Sequence, residues 1–207
     1  MLRKVLLGVL VAAYSASGIA GPFGPAKFEI VQADMRFTEP QTVAWASGNN
    51  RISKKSVVGG VHLDASGVYV NPVVTRDKDT GQVLTLGLII LNSTGYDTTY
   101  GSPNSLGVPK EIIFSVDGTK SISLPIAEGD SVWSDATSYN SVTRSASKNI
   151  TESGLALMTR DQYREIISAK SLAVRIVGSK RSVTYETKDL SSSFLPNLRT
   201  FFEQKVQ

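Results

Sequence analysis

The chain has 207 residues, 41% of them hydrophobic and 19% charged, with 17 glycines, 8 prolines, one histidine and no cysteine. Those values belong to an ordinary globular protein and lie outside the disordered and collagen-like ranges. The formal charge of +4 falls to +2 when Arg3 and Lys4 leave with the N-terminal stretch described next; that is too close to neutral for the broad field with which a protein collects nucleic acid.

Residues 1–20 place Arg3 and Lys4 ahead of an apolar stretch from Val5 to Ala13, followed by the small residues Ala16, Ser17, Gly18 and Ala20. That is the form of a secretory leader, with an apolar part too short to cross a hydrocarbon core. Cleavage is expected after Ala20, with the mature start at Gly21, give or take about four residues. No later stretch reaches transmembrane length, so no transmembrane segment is expected. Export without a single thiol points to a Gram-negative envelope, periplasmic or secreted, and to stability drawn from core burial in place of disulfides.

Residues 21–26 begin Gly-Pro-Phe-Gly-Pro and form a Gly/Pro spacer. From there to Met158, short Val- and Ile-rich runs alternate with Gly, Asn, Asp and Pro and read as strands. The expected strands are Lys27 to Phe37, Thr42 to Ser47, Ser56 to Leu63, Val68 to Thr75, Val83 to Leu91, Glu111 to Val116, Lys120 to Leu124, Ser131 to Ala136, and Gly154 to Leu157. Asp117-Gly118 supplies the positive φ angles of a two-residue hairpin turn. Asp77-Lys78-Asp79-Thr80-Gly81 joins two further strands by a longer loop. The run from Val83 to Leu91 is apolar on both alternating sets, which predicts a central strand covered on both faces.

The period then changes. Thr159-Arg160-Asp161-Gln162 has the form of a capping box opening a helix from Arg160 to Ala169. Leu172, Val174 and Ile176 lead through Gly178 to Val183 and Tyr185 as a third hairpin. Phe194, Leu195, Leu198, Phe201 and Phe202 draw one apolar stripe on a last helix, with Pro196 in its first turn. Residues 134–153 hold nine Ser or Thr in twenty positions and are compatible with an edge strand, a short helix or a loop. Together these elements predict one domain over 27–207, mainly β, an antiparallel sandwich or curled sheet with two C-terminal helices.

Motifs for chemistry are sparse. Zinc wants several His or Cys ligands and His62 stands alone, so no metal is expected there. Asp77-Lys78-Asp79-Thr80-Gly81 copies the start of a calcium loop but lacks its distal glutamate, and reads as a hairpin turn. His62 alternates with Val61 and Leu63 as a solvent-facing strand position would, and no Gly-x-Ser-x-Gly elbow accompanies it. Ser145-Ala146-Ser147-Lys148 fits the Ser-x-x-Lys pattern without the partner motifs of penicillin-recognising enzymes. Glu29, Asp34, Glu39, Asp64 and Asp130 sit at strand flanks and turns, where carboxylates are ordinarily solvated. Gly59-Gly60 leads into a strand and not a helix, so it cradles no phosphate, and no cofactor motif occurs. The basic groups Arg51, Lys54, Lys55 and Arg175, Lys180, Arg181 read as charged hairpin tips and edges.

Asn92 to Pro109, eighteen residues without periodicity, is the longest expected loop, and long loops in compact domains commonly carry function. Tyr96 and Tyr100 lie in it, and Trp133 and Tyr139 come from the start of the second Ser/Thr-rich segment. These four are the candidate ligand- or partner-binding residues, because such rings bury area at low rotamer cost and keep a polar handle. The order Asp117-Gly118 hairpin, Thr159 to Tyr163 helix start, Ala169 to Gly178 strand and Phe194 to Phe202 aromatic helix resembles small exported bacterial proteins of unknown function; the resemblance implies fold and export only.

The functional expectation is a non-enzymatic envelope protein that binds or scaffolds another envelope protein or a glycan through its Tyr-bearing loops, with no cofactor and no catalytic residue assigned. A cell-wall or polysaccharide hydrolase, which needs converging acids, and a small-ligand carrier, which needs an apolar cavity, are the competing readings.

Overall fold

A computed structural model describes residues 27–53, 67–97, 105–133, 138–142 and 144–207. Ten strands run in chain order: β1 (Glu29–Ala33), β2 (Thr42–Gly48), β3 (Gly67–Asp77), β4 (Val83–Asp97), β5 (Pro109–Val116), β6 (Lys120–Trp133), β7 (Ser138–Asn140), β8 (Ser145–Leu157), β9 (Leu172–Gly178) and β10 (Ser182–Tyr185). Among the described residues they are joined by two α-helices, α1 (Arg160–Ser168) and α2 (Phe194–Phe201), the second continuing into a π-helical turn over Phe202–Val206, and by a 3-10 turn at Thr187–Asp189.

The strands form a single antiparallel sheet in the order β1-β2-β3-β4-β8-β6-β5-β9-β10, with β7 pairing β8 beyond the end of β6. What curls the sheet is β6. Its first half pairs with β5, from Lys120 opposite Val116 to Pro125 opposite Glu111. Its second half pairs with β8, from Ile126 opposite Ala156 to Trp133 opposite Ile150, with a register shift between Ile126 and Glu128. A proline, which lacks an amide donor, stands at the changeover, and the irregularity beside it bends the strand. The expected alternatives, sandwich or curled sheet, are thus resolved: one sheet folds over on itself and is not closed.

The fold-over encloses the main core. Val70, Val74, Leu86, Leu88 and Ile90 meet Ile112, Phe114, Ile122, Leu124, Val174 and Ile176 from the other half, and the helices add Tyr163, Ile166, Phe194, Leu198, Phe201 and Phe202. A second cluster, with Ala44, Ala46, Val73, Ile89 and Leu155, occupies the opposite face of β2, β3, β4 and β8. As its doubly apolar run predicts, β4 is central, flanked by β3 and β8 and buried on both faces from Leu86 to Ile90.

Local signals hold where the chemistry is local. Thr159 Oγ1 accepts from Gln162 N (3.1 Å) and Gln162 Oε1 accepts from Thr159 N (2.8 Å), closing the capping box that starts α1. Asp117 and Gly118 adopt φ of 52° and 65°, although the last ladder pair, Val116 with Lys120, brackets three residues and not two. Asp117 also ties this turn to the end of α1, since its Oδ1 accepts from Lys170 N and Ser171 N, both at 2.8 Å. Of the stripe on α2, Phe194, Leu198, Phe201 and Phe202 are buried and Leu195 is half-buried, and the Tyr163 ring meets Phe202 at 5.3 Å between centroids.

Three expectations change. The expected loop from Asn92 to Pro109 begins as strand: β4 continues to Asp97, and β5 begins at Pro109. Backbone ladder bonds to β8 hold Asn92–Asp97 extended although its side chains carry no apolar alternation. The open stretch 134–153 contains β7 and most of β8, a strand of 13 residues where only its last four had an apolar signal. β1 is shorter than expected, ending at Ala33, because the chain then turns over Met35, whose carbonyl accepts from Thr38 N (3.2 Å) and Glu39 N (2.9 Å). The expected strand from Ser56 to Leu63, with His62, Lys54, Lys55 and Asp64, lies outside the described residues, as does the proposed leader.

Candidate functional site

Opposite residues of a ladder share a face, and each strand repeats that face every second residue. Along β4 and β8 the core-side pairs are Leu88 with Ala156, Ile90 with Gly154 and Asn92 with Glu152, and the backbone ladder continues with Thr94 opposite Ile150 and Tyr96 opposite Lys148. The first of these lies wholly in the main core and the second adds Ile90 to it. The third is polar and fully buried.

Glu152 is held by three donors. Its Oε2 accepts from Asn92 Nδ2 (2.7 Å) and Leu106 N (3.0 Å), and its Oε1 accepts from Gly107 N (2.7 Å). Hydrogen bonds to an ionised acceptor are roughly twice as strong as neutral ones, and three of them compensate a buried carboxylate. The same segment is fastened from its other side, where Leu106 O accepts from Lys180 N (2.9 Å) and Val108 O accepts from Ser179 N (2.8 Å). Two glycines permit this approach. Gly107 sits at φ +74°, and a Cβ on Gly178 would lie 2.1 Å from Leu106 O. Glu152 therefore latches segment 105–108 onto the sheet; with every oxygen occupied and no solvent access, it is placed to hold structure and not to react.

Beyond the latch the same face opens. On β6, Ser131 pairs with Glu152 and Trp133 with Ile150; on β7, Tyr139 pairs with Ala146. Ile150 is buried, whereas Trp133 is 37% and Tyr139 67% exposed. Positions 146 and 150 are four residues apart, about 13 Å along the strand. The sheet thus brings Trp133 and Tyr139 to one face of its outward extension, while the Tyr96 backbone pairs with Lys148 on the other side of β8. The Tyr96 side chain and the whole of Tyr100 lie outside the described residues.

Among the described residues no group of three or more His, Asp or Glu side chains is placed to hold a metal ion. Asp34 is exposed and bonded to Arg36 Nη2 (2.7 Å) and Nε (2.9 Å), and these bonds with the Arg36 amide hold its carboxyl down to about 2. Asp77 is likewise lowered, by the Thr80 amide and then the Thr80 hydroxyl, in a side-chain-capped turn that fits the hairpin reading of this loop. Neither shift is in the direction a general acid needs. An open cavity of about 390 Å³ beside the Asp34–Arg36 pair is bordered also by Gln32, Thr42 and Lys78. Among the expected basic groups, Arg51 is half-buried, donates to Tyr69 Oη (3.1 Å) and stacks over its ring, while Arg175 and Lys180 are exposed on the β9–β10 hairpin as expected.

Sequence reasoning missed Glu152. The signal existed in the alternation running back from Ala156 through Gly154, but it required knowing that β8 extends past Gly154. The class the fold defines is a mainly β protein with one curled antiparallel sheet and two C-terminal helices. No family model matches the chain, and neither does any curated protein or solved structure.

Proposed function

We propose that this chain is an exported envelope protein that binds another envelope component on the outward extension of β6, β7 and β8. The observation that carries the reading is a tryptophan and a tyrosine, Trp133 and Tyr139, left 37% and 67% exposed at same-face positions of a hydrogen-bonded sheet. Large aromatic rings exposed on a rigid platform present contact area at little entropic cost. The lowered carboxyls of Asp34 and Asp77 and the occupied carboxylate of Glu152 weigh against hydrolysis. Export rests on the basic and apolar pattern of residues 1–20.

The test immobilises the chain without residues 1–20, beside its Trp133→Ala/Tyr139→Ala variant, and passes envelope extract over both. Loss of a retained component in the variant, with an unchanged circular dichroism spectrum, supports the reading. Equal retention of every component refutes it.

A further inference from the structure

The sheet is not closed, so its strand order has two ends, β1 and β10. An edge strand presents backbone donors and acceptors to any strand that can lie beside it, and proteins ordinarily blunt such edges with shortness, charge, proline or a bulge. β10 is blunted: it has four residues, and Lys180 and Arg181 lead into it. β1 is not. It pairs with β2 without a register shift, from Glu29 opposite Gly48 to Ala33 opposite Ala44, and its sequence Glu-Ile-Val-Gln-Ala holds no proline and carries its one charge at the first position. Among the described residues β2 is its only ladder partner.

β1 also contributes apolar side chains to both faces. Ile30 packs against the main core. Val31 and Ala33 stand opposite Ala46 and Ala44 on the other face, where Ala33, Ala44 and Ala46 belong to the second cluster and Met35 extends it just past the strand. A strand apolar on both faces fits the inside of a sheet better than its margin. The strand itself is a match for the vacant side. Laid antiparallel against β1 of a second copy, it pairs all five residues: Val31 meets Val31, Ile30 meets Gln32, and Glu29 meets Ala33. No like charges oppose, since each Glu29 faces an alanine and Lys27 beyond it faces Met35. Opposed residues share a face, so this register sets core side beside core side and joins the two second clusters across the seam.

We propose that β1 is the seam of a homodimer in which two copies join edge to edge, antiparallel, with Val31 on the two-fold axis. Such pairing closes at two, whereas β1 against β10 of the next copy would run on as an open chain of subunits. β2, β3, β4 and β8 stand between the seam and β6 in the strand order, so the dimer does not depend on the binding face at Trp133 and Tyr139.

Five ladder pairs and their flanks make a small interface, so the processed chain is followed by sedimentation equilibrium over about 1–100 µM. The expected mass rises toward that of two chains. Val31→Lys and Val31→Glu should each weaken association about tenfold, and their equimolar mixture should restore it, because opposite charges then meet on the axis. The chain has no cysteine, so Val31→Cys carries a lone thiol. Opposed residues of an antiparallel ladder lie about 4.5–5.5 Å apart between Cα atoms, within disulfide reach. That variant should oxidise to a covalent dimer much faster than Gln32→Cys, whose position faces Ile30 and not itself. Val31 is half-buried, so circular dichroism checks each variant, and the cysteine variant, close to valine in size, decides the matter where a charged one fails to fold. A single-chain mass at every concentration, cross-linking no faster at 31 than at 32, a mixture of folded charge variants no better than its components, or assemblies that grow past two overturns the proposal.

Discussion

Replacing Glu152 tests the latch that divides the buried part of the sheet from its open extension. Glu152→Ala strands the amides of Leu106 and Gly107 and the side-chain amide of Asn92, all of which donate to this carboxylate at 2.7 to 3.0 Å. Leaving three buried neutral donors unsatisfied at roughly 1–3 kcal/mol each costs about 3 kcal/mol or more. Glu152→Gln is the finer probe, because it keeps shape and burial. Its single carbonyl oxygen can serve Asn92 and Leu106, but its amino group then points at the Gly107 N–H, losing one bond and opposing two donors. A cost of about 1–3 kcal/mol follows, which for a domain of this size lowers the melting temperature by about 3–9 °C. Thermal unfolding by circular dichroism reads the stability, and amide hydrogen exchange reads the place. Leu106 and Gly107 should lose protection in the Gln variant before the β3–β4 ladder does. A Gln variant that melts with the parent and protects both amides equally would refute the latch.

Two buried tyrosines make a contrasting pair. Tyr163 Oη donates to Leu198 O (3.0 Å), so Tyr163→Phe should cost about 1 kcal/mol; the buried Tyr185 hydroxyl has no hydrogen-bond partner among the described residues, so Tyr185→Phe should be neutral or stabilising by up to about 1 kcal/mol in urea unfolding, and equal losses in both would contradict this. Burial raises the pKa of both phenols above the usual value near 10. The folded state keeps these protons where the unfolded chain releases them, so stability holds below pH 10 and falls above it, by up to about 1.4 kcal/mol per pH unit for each tyrosine. An alkaline titration followed by absorbance and circular dichroism should show these two phenolates appearing together with unfolding. Smooth ionisation of every tyrosine near pH 10 with the sheet intact would show that the burial is wrong.

Much of the fold was legible because its signals are local or periodic. The capping box at Thr159, the positive-φ pair Asp117-Gly118, the stripe of α2 and the doubly apolar β4 each follow from residues close in sequence. What escaped reading depends on partners distant in the chain. Asn92–Asp97 and the first half of β8 are polar, and they are strands because they pair with each other across about fifty residues. The bend of β6 at Pro125 reads locally as a strand end, yet the strand crosses it to reach β8. The candidate site was half legible: Trp133 and Tyr139 stood out as aromatics amid Ser and Thr, but that they share a face needed the register of β8. Glu152 stayed hidden because nothing in a Ser/Thr/Asn run distinguishes a buried carboxylate from a solvated one.

The central claim is that the face bearing Trp133 and Tyr139 is where this protein meets its ligand. Site-specific photocrosslinking in envelope-bearing cells reads it most directly, with a photoreactive residue at position 139 compared with one at position 84, near the opposite end of β4, where Leu84 is 49% exposed. The account predicts adducts from position 139 that disappear with Trp133→Ala, and none from position 84. Equal adducts from both positions, or adducts from 139 indifferent to Trp133, would contradict it.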